Sequence, residues 1–270
     1  MDYFQALVLA AIQGLTEFLP VSSSAHLILV PTFLGWDDQG LAFDVAVHVG
    51  TLLAVLIYFK RDLLKIVGSW FGGWSVLRWD QQGLLGWWII VATIPVGLVG
   101  LSAGDWIELN LRSALVIACT TFAFGLVLAW ADRRASSNNG TLDTLNYKQA
   151  LVVGAAQALA LIPGTSRSGI TMTAMLALGY SRTAAARFSF LLSIPAIMLP
   201  GLLKGVELSQ KATPVAWDVL MIGIVVSAVV ALLCIRVFMR FVERVGMMPF
   251  VYYRIGLALV ILVFAWNTIG

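Results

Sequence analysis

The sequence predicts an all-α integral membrane protein, with six transmembrane helices and two re-entrant helical hairpins arranged as an inverted repeat within one polytopic domain, 1–270. Three observations lead there. Of the 270 residues, 60% are apolar and only 11% charged, where a soluble domain carries roughly a quarter charged residues. Two long apolar regions are broken at their centres by proline and hydroxyl residues. The sequence ahead of the first break recurs ahead of the second.

The chain begins MDYFQALVLA, an acidic start with no small-residue cleavage site, so the first segment is expected to stay in the mature protein. Residues 4–34 are the first broken region, centred on FLPVSSSAH. Proline followed by serines does not continue a helix, and non-helical backbone at membrane depth persists only where protein or a watery cavity satisfies it. A re-entrant hairpin follows; the alternative is two crossings joined by a surface turn. Residues 45–59 form the first crossing, 60–86 a connector, and 87–103 and 114–131 the second and third. Region 150–178, broken at IPGTSRSG, is the second hairpin, followed by crossings at 186–203, 219–239 and 251–266. These lengths approach the ~20 residues that span a bilayer.

Residues 5–15 (QALVLAAIQGL) and 149–159 (QALVVGAAQAL) agree at seven of eleven positions at an offset of 144. After a one-residue shift Pro20 meets Pro163, Ser22 meets Thr165 and Ser23 meets Ser166. The repeats are approximately 1–131 and 149–270, each a broken region plus three crossings. An odd number of crossings inverts the second copy, so the two tips enter from opposite faces and meet near the midplane. Connector charges agree. With 60–86 inside, twelve Lys/Arg fall inside and three outside, namely Arg112, Lys204 and Lys211, as the positive-inside rule requires. Arg167, at a tip, and Arg254 remain unplaced. The net charge of +3 contains no run of like charges, which argues against a nucleic-acid partner; membrane lipids are the expected surroundings. Cys119 and Cys234 read as inert packing residues, and Trp36, Trp70, Trp74, Trp79 and Trp106 as an interfacial aromatic belt. Scattered small residues allow a homodimer and equally allow packing within the bundle.

The candidate chemistry gathers at the breaks. Gln13 and Glu17 are four apart and share a helix face just before Pro20. A carboxylate within the membrane is costly, and marks either a functional group or one half of a structural ion pair. Ser22, Ser23 and Ser24 occupy the cap and first turn of the returning helix, where free amides favour an anion, and His26 follows three residues after Ser23. The second tip, PGTSRSG, offers Gly164, Thr165, Ser166, Arg167 and Ser168: glycine lets backbone approach closely, successive N–H groups can cradle an anion, and guanidinium is a fork for phosphate oxygens. Together these are parts of a phosphoryl-transfer site, in which Glu17 and Gln13 could hold a hard divalent cation, Mg²⁺ first and Ca²⁺ second. Asp44 and His48, also four apart, could pair on one helix face, either as a helix-terminal ion pair that positions the bundle or as support around the site.

At QGLTEFLPVSSSAH and PGTSRSG, and along FDVAVHVGT at 43–51, the chain resembles the bacterial undecaprenyl pyrophosphate phosphatases, the bacitracin-resistance family. The resemblance implies a membrane enzyme that removes the terminal phosphate of a C55 polyprenyl pyrophosphate, recycling the lipid carrier of peptidoglycan synthesis, in the bacterial inner membrane with its site facing the periplasm. By motif, Glu17 and Gln13 match the acidic pair associated with a divalent metal, Ser23 and His26 the catalytic hydroxyl and imidazole, and Arg167 the phosphate-binding arginine. Gln13 leaves one charge fewer for the metal. Two mechanisms stand open: Ser23 attacks while His26, oriented by Glu17, takes its proton, or His26 is itself the nucleophile. An anion or lipid-phosphate carrier is the alternative class, since inverted repeats with broken helices also build transporters, but a carrier needs no hydroxyl and imidazole beside a carboxylate.

Overall fold

A computed structural model describes residues 1–135, 139–209 and 216–269. Among these residues the chain is all helical, with eleven α-helices and no strand. Six are long and apolar enough to cross a membrane: Gly40–Tyr58, Gln81–Ile107, Ala114–Arg134, Arg182–Val206, Trp217–Val245 and Met248–Ala265. The protein is a multi-pass membrane protein. Lys211 lies outside the described residues.

The first broken region is α1 (Tyr3–Thr16), a non-helical stretch and α2 (Ser23–Leu34). The second is α7 (Tyr147–Ala158), a 3₁₀ turn at Leu159–Leu161 and α8 (Arg167–Ala177). Their starts are built alike. Asp2 caps α1 in a reciprocal box with Gln5, and Asn146 caps α7 in the same box with Gln149, satisfying two of the amides that a helix start leaves orphaned. The breaks also end alike. Ser22 (φ 73°) and Ser166 (φ 70°) are the N-caps of α2 and α8 and two of the three non-glycine residues with positive φ among those described. Left-handed serine costs roughly 1–2 kcal/mol, so the surrounding packing must hold both turns. Ser22 and Ser166 stand at the unshifted offset of 144, which corrects the one-residue shift: the shift follows the prolines, whereas the backbone turns correspond without it.

Between the two units run α3 (Gly40–Tyr58), α4 (Lys60–Val76), α5 (Gln81–Asn110) and α6 (Ala114–Arg134); after them come α9 (Arg182–Ser209), α10 (Trp217–Val245) and α11 (Met248–Ile269). The connector expected at 60–86 is instead mostly α4. Its composition is too mixed for a span, and Leu64 and Phe71 stay largely exposed. Trp70, Trp74, Trp79 and Trp87 pack edge on or tilted at 5.4–5.8 Å, and Trp79 Nε1 donates to the Trp70 carbonyl at 3.0 Å. Three of the belt tryptophans thus form one cluster joining α4 to α5.

Helices approach where small residues let them. A Cβ on Gly14 of α1 would stand 2.7 Å from the Ser227 carbonyl of α10. Phe18, the residue after Glu17, meets Phe190 edge on, and Phe190, Phe238 and Phe250 continue the chain at a tilt, with centroids 5.2–5.6 Å apart. Away from these rings, buried Asp132 of α6 accepts from Arg182 Nε at 2.7 Å and from the Met247 amide at 3.0 Å, tying α6 to the starts of α9 and α11. Cys234 is buried, but Cys119 is exposed, so only one of the two cysteines packs in the interior.

Candidate active site

Glu17, the C-cap of α1, is 7% exposed, and every group around it is a donor or a cation. Gln13 Nε2 donates to Oε2 at 3.0 Å, the Ser23 hydroxyl donates to Oε2 at 2.6 Å, and Arg167 donates through one terminal guanidinium nitrogen to Oε1 at 2.7 Å. His48 Nε2 stands 3.9 Å from Oε2. The two breaks therefore meet through a buried ion pair, which lowers the cost of placing either charge away from water. The other terminal nitrogen of Arg167 is buried without a hydrogen-bond partner, as are Gln13 Oε1 and Thr165 Oγ1.

The tips are also joined through backbone. Ser168 Oγ donates to the Leu19 carbonyl at 2.8 Å. Arg254 of α11, fully buried, donates to the carbonyls of Pro20, Gly164, Thr165 and Thr121 at 3.0–3.3 Å. Irregular backbone leaves carbonyls that no helix can satisfy, and one guanidinium with five donors in a fixed fork answers those of both tips and of α6. The hydroxyls mirror each other as well: Ser22 and Ser24 are 3.2 Å apart, and so are Ser166 and Ser168.

In front of Glu17 opens a cavity of about 330 Å³ lined by Ser22, Ser23, Ser24, Ser166 and Arg167 from the tips, Asp44 and His48 from α3, and Ile197, Pro200 and Lys204 from α9. Two imidazoles lie nearby with different surroundings. His26 is not placed against Glu17. Its Nδ1 lies 2.7 Å from the Ser22 carbonyl, its Nε2 lies 2.5 Å from the Tyr253 hydroxyl, and its ring stacks on Tyr253 at 5.7 Å. A carbonyl can only accept, so Nδ1 carries the proton and Nε2 accepts from Tyr253. The expectation that Glu17 orients His26 is corrected, because the left-handed turn at Ser22 offers the ring its carbonyl. The Asp44–His48 side-chain pair does not form either. His48 Nδ1 donates to the Asp44 backbone carbonyl at 2.7 Å, while the Asp44 carboxylate accepts from Gln39 Nε2 at 2.9 Å; both side chains face the cavity instead.

The model of the family described as "Bacitracin resistance protein BacA" matches residues 6–260. The chain belongs to this family. Among its relatives, Undecaprenyl-diphosphatase 1 of Pseudoalteromonas translucida (strain TAC 125) is 53% identical over 98% of this chain and 99% of its own length. The Undecaprenyl-diphosphatase of Teredinibacter turnerae (strain ATCC 39867 / T7901) is 54% identical over 97% and 99%. That of Alcanivorax borkumensis (strain ATCC 700651 / DSM 11573 / NCIMB 13689 / SK2) is 56% identical over 97% and 98%.

In this member of the family the structure brings Gln13, Glu17, Ser23 and Arg167 into direct contact, sets Ser22, Ser24 and Ser166 in the cavity wall, and leaves His26 outside that wall. Sequence reasoning missed Arg254 and Tyr253. The available signal for Arg254 was its misfit: an arginine inside an apolar span that the connector charges left unplaced.

Proposed function

We propose that the protein hydrolyses undecaprenyl diphosphate to the monophosphate and phosphate, returning the lipid carrier to peptidoglycan synthesis and conferring bacitracin resistance. The observation that carries the chemistry is the Glu17–Arg167–Ser23 contact on the wall of the cavity, with one guanidinium nitrogen free of any partner. Arg167 already spends one end on Glu17, and its free end is suited to a phosphate oxygen. A polyprenyl tail can remain in the bilayer while only the diphosphate enters a polar pocket.

Ser23 is the nucleophile in this reading. Its proton already points at Glu17 Oε2, so the carboxylate can take it as Oγ attacks the terminal phosphorus. The bond from that phosphorus to the bridging oxygen breaks, the lipid monophosphate leaves, and the phosphoserine is then hydrolysed by water to inorganic phosphate. Arg167 and the amides of the α8 start stabilise the charge that spreads over the transferred group. His26 acts one step back: it grips the carbonyl of Ser22, the strained residue that aims Ser23. Ser22, Ser24 and Ser166 complete the phosphate cradle in this assignment, whereas Gly164, Thr165 and Ser168, expected in it from the sequence, do not line the cavity and brace the tip through their bonds to Arg254 and Leu19.

A divalent cation fits the charge of the cavity better than it fits a protein cage. Among the described residues no cluster of three metal-ligating side chains exists. Arg167 and Lys204 are matched in number by Glu17 and Asp44, so the lining carries no net positive charge to set against a phosphate bearing roughly −1.5 to −2, although each cation can still meet a phosphate oxygen. Mg²⁺ commonly binds through one or two carboxylates plus substrate phosphates. Glu17 would be the protein ligand, with Gln13 beside it, and the ion would supply the missing positive charge; Ca²⁺ is the second candidate.

The re-entrant, inverted-repeat reading is supported by the shared capping boxes, the paired left-handed serines at Ser22 and Ser166, and tips that meet each other. It makes 1–270 one domain whose cavity is lined from a single chain, so hydrolysis needs no second copy even where a homodimer forms. Asp44 lies near the start of α3 and Lys204 near the end of α9, each away from the connector charges along its own helix, which supports a site that faces the periplasm of the inner membrane. The test is phosphate release from a C55 or shorter polyprenyl diphosphate by purified protein in detergent, beside Arg167→Ala and with or without Mg²⁺. Release lost in the variant supports the assignment. A folded wild type that binds the lipid but releases nothing would return the pocket to the carrier alternative.

A further inference from the structure

The cavity contains a second cation that the proposed reaction leaves unused. Lys204 lines the cavity from α9, seven residues along the helix from Ile197, about 10 Å further on at 1.5 Å per residue. It is partly buried, yet its ammonium makes no hydrogen bond or ion pair with any described residue. Asp44, a carboxylate that also lines the cavity, attracts this ammonium at longer range and is itself held by Gln39 at 2.9 Å.

A diphosphate presents two phosphoryl groups. Chemistry at Ser23 and Glu17 requires the terminal one to sit against Arg167, which places the lipid-linked one further out, on the side from which the tail enters. We infer that Lys204 binds the phosphate that stays on the lipid, and that the two cations, which line the cavity from different helices, select diphosphates over monophosphates. This rests on the phosphatase reading and adds to it the subsite that recognises the second phosphate. Lysine chemistry matches this position, because a compact charge on a flexible stem can follow a phosphate whose position varies with the tail, where the fork of Arg167 fixes the group that reacts. A monophosphate reaches only one of the two charges.

The test compares full-length wild type with Lys204→Met, which keeps the stem and removes the charge, and with Lys204→Arg, which keeps the charge. The substrate is a polyprenyl diphosphate, and the inhibitors are a polyprenyl monophosphate and inorganic phosphate. Lys204→Met should raise KM about tenfold with kcat within about twofold, the signature of binding lost equally from ground and transition states. Inhibition by the lipid monophosphate should weaken by a similar factor and inhibition by inorganic phosphate should stay unchanged, since free phosphate fits the Arg167 end. Lys204→Arg should recover most of the loss, and coelution with wild type on size exclusion identifies folded variants. An unchanged KM in an active, folded Lys204→Met protein overturns the subsite, as does a fall in kcat at constant KM. A wild type that releases no phosphate fails at the earlier step and removes the phosphatase reading itself.

Discussion

Glu17 and Arg167 each make the other tolerable, and that mutual dependence sets what single substitutions do. Arg167→Ala should lower phosphate release by about 10³-fold or more, the scale of an arginine that stabilises a transferring phosphoryl group. It also leaves a buried carboxylate without its cation, which costs roughly 3–5 kcal/mol when a buried pair is broken; a double variant with Glu17→Gln should unfold less readily than Arg167→Ala alone, as read by thermal unfolding in detergent. Tyr253→Phe keeps the stack on His26 and removes the hydroxyl donor. Losing a net hydrogen bond of ~1 kcal/mol should reduce kcat about fivefold, while an unchanged kcat would free His26 from its assigned role of holding the Ser22 turn. Both motif residues at the tips were legible because an ionisable side chain beside a helix break has few reasons to be there. The partners of His26 were not. Its bond to Ser22 depends on a left-handed serine, and the sequence supplied three serines without saying which would turn.

At the scale of elements, α1 carries Gln13 and Glu17 on either side of Gly14, and α10 presses its backbone against that glycine. Gly14→Val should drive the helices apart, destabilising by ~1–3 kcal/mol as overpacking does, with a lower thermal midpoint and reduced hydrolysis, because the displaced segment includes the carboxylate. A midpoint equal to wild type would contradict this close approach. The six long apolar segments and both breaks could be read directly, since twenty apolar residues and a proline followed by hydroxyls are local signals. The α4 helix escaped because its polar and apolar residues are mixed, and a search for apolar spans passes over such a helix. The one-residue shift misjudged the repeat for a related reason: proline is visible in sequence, but the positive φ at Ser22 and Ser166 is imposed by tertiary packing against the usual preference of serine.

For the whole molecule, orientation is the expectation most open to direct measurement. Cysteines introduced at Asp37 and Ser75, in a background lacking Cys119 and Cys234, should react with an impermeant label from opposite sides, outside and inside respectively; same-side labelling would break the proposed topology. Removal of divalent ions by EDTA should stop turnover and Mg²⁺ should restore it, and indifference to the chelator would remove the ion from the scheme. The six spans of the bundle were legible, but its fastening was not, because no local pattern announces that Arg254 bonds to carbonyls from both tips. That fastening also orders biosynthesis. The first tip leaves the ribosome early, the second midway, and the guanidinium that holds them together arrives with α11. A nascent or truncated chain already inserted in the bilayer lacks the residue that ties its two tips together, so the proposed hydrolysis should begin only when the last helix has been threaded into place.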